Sequence, residues 1–246
     1  MGEGYSIRLR LADVEIDAKV IFEQTVRYLK EYVTEPSKEA DFSVSMTMKA
    51  IEAERQKCLE NDSPQFSDPY LETLALYRQI AETTPRFGTI LMHGSVLSVD
   101  GGGYMFTAKS GTGKSTHTRL WREALGERVT MINDDKPLLK LTEEGIRVYG
   151  TPWDGKHRLS TNTSVPLKAI AYLTRDENNW IKKMSPMEML PILMQQIYRP
   201  ETAESLAATM NVVDELIKRV SFYKLGVNMD KEAAYVAYEG MKGEKP

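Results

Sequence analysis

The sequence predicts an α/β fold built around a strand–loop–helix unit, and three observations predict it. An apolar, β-prone run from Tyr104 ends at Ala108 and passes straight into Lys109-Ser110-Gly111-Thr112-Gly113-Lys114-Ser115-Thr116. A helical pattern follows from Lys114, with Leu120, Trp121, Ala124 and Leu125 on one face and Gly126 as its stop. The next apolar strand, Val129 to Ile132, runs into Asn133-Asp134-Asp135.

The loop fits the phosphate-binding (Walker A) template G-x-x-x-x-G-K-[ST] everywhere except its first position, where Ala108 stands for Gly. Gly111 and Gly113 let the backbone turn its N–H groups around an anion with no Cβ in the way. Lys114 can reach the β- and γ-phosphates, and the Ser115 hydroxyl is placed to meet Mg²⁺. The helix aims its positive dipole end at the same phosphates. Ser110, Gly111, Thr112, Gly113, Lys114, Ser115 and Thr116 are therefore the expected nucleotide-binding residues, with Mg²⁺ beside the phosphates.

Two adjacent carboxylates at the carboxyl end of a strand stand where ligands bind in open α/β sheets. They can hold Mg²⁺ and orient a nucleophile; the competing reading is a solvated Asp-Asp turn. The phosphate loop beside them favours the first. Asp135 joins Ser115 as a metal-ligand candidate, and which of Asp134 and Asp135 holds metal and which orients the nucleophile stays open. After a short strand at Gly145 to Tyr149 comes Thr151-Pro152-Trp153-Asp154-Gly155-Lys156-His157-Arg158. Such a loop either closes over a nucleotide or is a polar turn anchored by its Trp. Arg158 is its candidate charge clamp for the transferred phosphate.

The glycines of Asp100-Gly101-Gly102-Gly103 follow an apolar run from Thr89 to Val99, and Asp-Gly there signals a hairpin, not a second phosphate loop. Ahead of them, residues 6–16 alternate as one or two strands, 20–32 are helical, 41–48 are a strand and 50–61 a charged helix. Ser67-Asp68-Pro69 opens another helix, to Thr83, which Thr84-Pro85 ends. Residues 1–85 then form an N-terminal α/β cap and 86–246 the nucleotide-binding catalytic part. Beyond it, Leu167–Thr174 reads as a buried strand and Ser185-Pro186-Met187-Glu188 as a capping box opening a helix toward Tyr198. Ala203, Leu206, Met210, Val213 and Ile217 share one helix face. Phe222–Val227 is a strand, and Asp230 caps a last helix.

Composition excludes some partners. A net charge of −3 offers no basic surface for nucleic acid, and no stretch is apolar enough to span a membrane. Cys58 is the only cysteine, which rules out an intramolecular disulfide and fits a reducing, cytoplasmic setting.

From Met92-His93-Gly94-Ser95 through the hairpin and the loop to Asp134-Asp135, the motifs follow the order of the HPr kinase/phosphorylase family, which the chain resembles over residues 91–135. The related ATP-dependent phosphoenolpyruvate carboxykinases share the S-G-T-G-K loop. The resemblance implies a P-loop domain on a strongly bent mixed sheet. It implies that Lys114 and Ser115 bind phosphate and Mg²⁺, that one Asp ligates metal, and that the other accepts the substrate hydroxyl proton. His93 would serve as a metal ligand or as partner to the base. The chain is short for the family's full N-terminal domain and lacks its C-terminal signature, so HPr is not implied as the substrate. Association of copies of this chain is left open.

These readings converge on a kinase that moves the γ-phosphoryl group of ATP to a hydroxyl of a small protein, peptide or small molecule. The rival is a sensor or adaptor that binds ATP without transfer.

Overall fold

The computed structural model describes residues 4–61, 64–155 and 157–243. Lys156 of the expected loop, and Asp62 and Ser63 of the break before the 67–83 helix, lie outside them. The N-terminal part starts with an antiparallel hairpin, β1 (Tyr5–Leu11) and β2 (Val14–Val20). After α1 (Glu23–Leu29), β3 (Phe42–Ser45) joins β2 in parallel, and α2 (Met48–Glu60) and α3 (Asp68–Thr83) follow. Alternation buries Leu9, Leu11, Ile16 and Ala18 against α3, where Leu76 and Ile80 are also buried. Glu72 of α3, fully buried, accepts hydrogen bonds from the Ile21 and Phe22 amides and the Thr25 hydroxyl. It thereby fixes the residues that lead into α1, whose N-cap Phe22 makes no side-chain cap.

The second sheet holds β4 (Thr89–Leu91), β5 (Ser95–Val99), β6 (Gly102–Thr107), β7 (Val129–Asn133), β8 (Leu138–Thr142), β9 (Gly145–Tyr149) and β10 (Ser164–Arg175). β11 (Trp180–Met184) and β12 (Ser221–Val227) complete it. Its order is β4-β8-β9-β10-β6-β5-β7, with β12 pairing in parallel with β10 and antiparallel with β11. β10 meets β9 through its first residues and β6 and β12 through the rest, so the sheet forks and curls there. The helices are α4 (Lys114–Leu125), α5 (Pro186–Gln196), α6 (Ala203–Arg219) and α7 (Glu232–Met241). The protein is thus a mixed α/β fold. No helix among the described residues is long and apolar enough to cross a membrane.

Strand direction builds the site. β6 and β7 both run antiparallel to β5 between them, so they point the same way and end on one edge. β10 is parallel to β6, and β12 to β10. The carboxyl ends of four strands, with the start of β5, therefore share that edge. The Asp100-Gly101 hairpin forms as expected, with φ of 50° and 78° at its two turn residues. β8 and β11 were not expected. β8 is a short strand opposite β9, and β11 is an outer strand with two exposed lysines, so neither carries a long apolar signature. The capping box at Ser185 and Glu188 is present. Asp230 does not cap α7; its carboxylate instead accepts from the Asn228 side-chain amide at 3.0 Å.

Between the sheet and α4, Trp121 is fully buried and donates its Nε1–H to Nε2 of His117, 2.9 Å away and one turn earlier. Phe106 meets both rings edge-on. Burial pushes the His117 imidazole down from 6.5 to about 3. Below pH 6.5 the unfolded chain takes up a proton that the folded one refuses, so stability falls as pH drops from 6.5 toward 3. This residue alone should cost about 2 kcal/mol at pH 5. Urea denaturation at pH 7 and pH 5 checks it: His117→Gln should lose less stability between the two than the wild type, and equal losses would contradict the assignment.

Candidate functional site

The edge holds a cavity of about 540 Å³. Loop residues Ser110, Gly111 and Gly113 and the first turn of α4, Lys114 to Thr116, line one part of it. His93, Asp134 and Asp135 line another, with Gly155 and His157 of the 151–158 loop. Gly111 and Gly113 have φ of 74° and 122°, the left-handed region that makes glycine the natural residue there. Ala108 is buried and is not among the residues with positive φ, so the loop has no need of glycine at that position. Thr112 turns back on Lys109, its amide at 3.2 Å and its hydroxyl at 2.8 Å from the Lys109 carbonyl.

Asp134 is 8% exposed. Its Oδ1 accepts from the Ser95 hydroxyl at 2.7 Å and from the Ser115 hydroxyl at 3.4 Å. Ser115 therefore stands beside Asp134, whereas the sequence paired it with Asp135. Hydroxyl and carboxylate oxygens are hard donors of the kind Mg²⁺ prefers, so this pair fits that ion. Among the described residues there is no cluster of three or more His, Cys, Asp or Glu side chains able to hold a metal.

Asp135 lies with a different set. Its Oδ1 is 3.4 Å from Nε2 of His93 and 3.4 Å from Nζ of Lys136. His93 Nδ1 is 3.0 Å from Gln196 Oε1, and the His93 amide donates to the Gln196 carbonyl at 2.8 Å. The ring thus presents Nδ1 to Gln196 and Nε2 to Asp135, bridging the two side chains at the cavity. Burial, reinforced by Lys136 and Lys114, holds the His93 imidazole below its ordinary 6.5, while Asp135 and Gln196 pull the other way. Burial likewise lowers Lys114, against the opposing pull of Asp135 and Asp134. A Cβ on Gly94 would sit 2.5 Å from Met105 Cε and 2.9 Å from the Phe106 carbonyl oxygen, so glycine is what lets the chain turn in after His93.

Arg158 does not line this cavity. Its Nε is 3.1 Å from Asp154, which is 3% exposed and needs a countercharge, and its guanidinium covers the Tyr28 ring at 4.3 Å. Trp153 anchors the same loop, donating to the Thr73 carbonyl at 3.0 Å.

Several contributors were missed from the sequence. Lys136 adjoins the Asp pair, and a cation beside two carboxylates was a readable signal. The Asn133 side chain accepts from the Asp135 and Lys136 amides at 2.8 and 2.7 Å, an Asx turn that a strand-ending Asn invites. Arg175, at the end of β10, donates to the Gly111 and Thr112 carbonyls at 2.6 and 3.0 Å. Gln196 had no local signal, since it lies over a hundred residues from His93.

No protein-family model and no curated protein matches the chain. Among solved structures, the Hpr(Ser) kinase/phosphatase from Coxiella burnetii matches 62% of this chain and 99% of its own, with a TM-score of 0.34 and 11% identity. That similarity is distant, and the geometry of the site has to carry the functional reading.

A carboxylate at Gln196 would favour the charged imidazole across the same contact. Gln196→Glu should raise the His93 pKa by about one unit or more, read by NMR titration of the ring protons. An unchanged titration would show that the two side chains do not meet as described.

Proposed function

We propose that this protein is an ATP- and Mg²⁺-dependent phosphotransferase that delivers the γ-phosphoryl group to a hydroxyl. The observation that carries the reading is the division of labour in one cavity. A phosphate loop with Lys114 and Ser115 forms one part, Asp134 joins Ser115, and Asp135, in contact with His93, offers a proton acceptor beside them.

The loop amides and Lys114 would hold the β- and γ-phosphates. Ser115 and Asp134 would hold Mg²⁺, which when bound neutralises charge building on the phosphate oxygens. Asp135 orients the acceptor hydroxyl in line with the γ-phosphorus and takes its proton, with His93 Nε2 adjacent to hold the carboxylate in place. The new bond runs from the hydroxyl oxygen to phosphorus. The bond to the bridging oxygen breaks, and ADP leaves with that electron pair beside Lys114. Lys136 supplies a second positive charge close to Asp135. Positioning and charge account for the chemistry, and no covalent enzyme intermediate is needed.

The test uses γ-labelled ATP with Mg²⁺ against a panel of hydroxyl acceptors, with ATP hydrolysis followed in parallel. Asp135→Asn should cut turnover by about a hundredfold or more while leaving ATP affinity nearly unchanged. Lys114→Ala should lose the affinity itself. Turnover by Asp135→Asn at the wild-type rate would overturn the assigned base. Tight ATP binding by the wild type with neither transfer nor hydrolysis would favour a binding module instead.

A further inference from the structure

Beside the phosphate cavity lies a second one, of about 440 Å³, which shares Gly113 and Thr116 with it. Its other walls come from Arg175 at the end of β10, from Val227 at the end of β12 with Asn228 and Met229 after it, and from His117 in α4. The volume falls within the range of small-molecule sites, about 300–1,000 Å³.

Two features of this cavity have no structural use that the fold explains. The first is His117, 1% exposed. Trp121 donates to its Nε2, so the ring proton sits on Nδ1, and that buried donor has no hydrogen-bond partner among the described residues. Burying a donor without a partner is costly, and folded proteins seldom leave one so. The second is Met229, a large apolar side chain 71% exposed at the cavity. Neighbouring polar groups are already engaged. The Asp176 carboxylate accepts from the Asn178 amide and the Trp180 indole. The Asn228 amide group donates to the Glu177 carbonyl and to Asp230. Arg175 holds the loop carbonyls of Gly111 and Thr112. What the cavity still offers is the unpaired N–H of His117, the Thr116 hydroxyl and the apolar surface of Val227 and Met229. That combination suits a flat heterocycle with ring acceptors, attached to a group the phosphate loop can hold.

We propose that this cavity receives the nucleoside half of the nucleotide, with His117 Nδ1–H donating to one of its acceptor atoms and Met229 covering a ring face. The inference rests on the phosphate-site reading above and adds where the nucleoside lies. It makes His117 a residue that tells a nucleoside polyphosphate from a bare one.

The test compares ATP with inorganic tripolyphosphate, each with Mg²⁺, by calorimetry on the full chain. The wild type should bind ATP the more tightly. His117→Phe should weaken ATP by about three- to tenfold, the loss of one hydrogen bond, and leave tripolyphosphate unchanged. Equal weakening of both ligands, or of neither, overturns the proposal. Photolabelling of the wild type with 8-azido-ATP needs no variant and decides the matter should His117→Phe fail to fold. The label is expected on the peptide carrying Val227 to Met229. A label confined elsewhere, with tripolyphosphate still bound, overturns the nucleoside location alone. Failure of the wild type to bind either ligand overturns the phosphate-site reading and this proposal with it.

Discussion

A carboxylate almost out of water organises this molecule. Asp134 is 8% exposed, and a carboxylate so placed is stable only with partners. It takes one from Ser95, the first residue of β5, and one from Ser115, in the first turn of α4. Asp134 itself follows directly on β7. One side chain therefore ties the entry of the central strand, the helix behind the phosphate loop and the exit of a neighbouring strand. The antiparallel placement of β5 between β6 and β7 is what brings these three points together. Asp135, one residue on, inherits a fixed position from the same arrangement and from Asn133, whose side chain holds the turn.

The arrangement separates two carboxylates that are adjacent in sequence and alike in chemistry. Asp134 is turned to hydroxyls and Asp135 to a histidine and a lysine. That difference in surroundings is the basis for giving them different work. The N-terminal segment contributes from outside the sheet. Its strands and α3 share an apolar core with Leu91, Leu138 and Trp153, and Tyr28 lies under Arg158. The loop beside the cavity is thus braced by residues far ahead of it in the chain.

Much of this was legible in the sequence, for local reasons. The left-handed glycines of the 110–113 loop and the α4 span read directly, because glycine spacing and a helical apolar face lie within a few residues of each other. The Asp-Gly hairpin read equally well, since its turn chemistry is local. Arg158 was misjudged because its partner, Asp154, was not recognised as buried; a loop rich in charge does not say which charge faces inward. Gln196 and Ser95 could not be chosen in advance, because their importance arises only when strand order brings them to the shared edge. β8 and β11 escaped notice because short or outer strands need no long apolar pattern.

The central claim is that Ser115 and Asp134 hold the metal while Asp135 remains free for the acceptor hydroxyl. A crystal structure with a non-hydrolysable ATP analogue and Mn²⁺ in place of Mg²⁺ tests it most directly, because anomalous scattering locates the ion without ambiguity. The account predicts Mn²⁺ at the Ser115 hydroxyl and on the Asp134 side, bridging phosphate oxygens, with Asp135 and His93 facing the γ-phosphorus. An ion held by Asp135 and His93, or a triphosphate lying away from the loop, would contradict it.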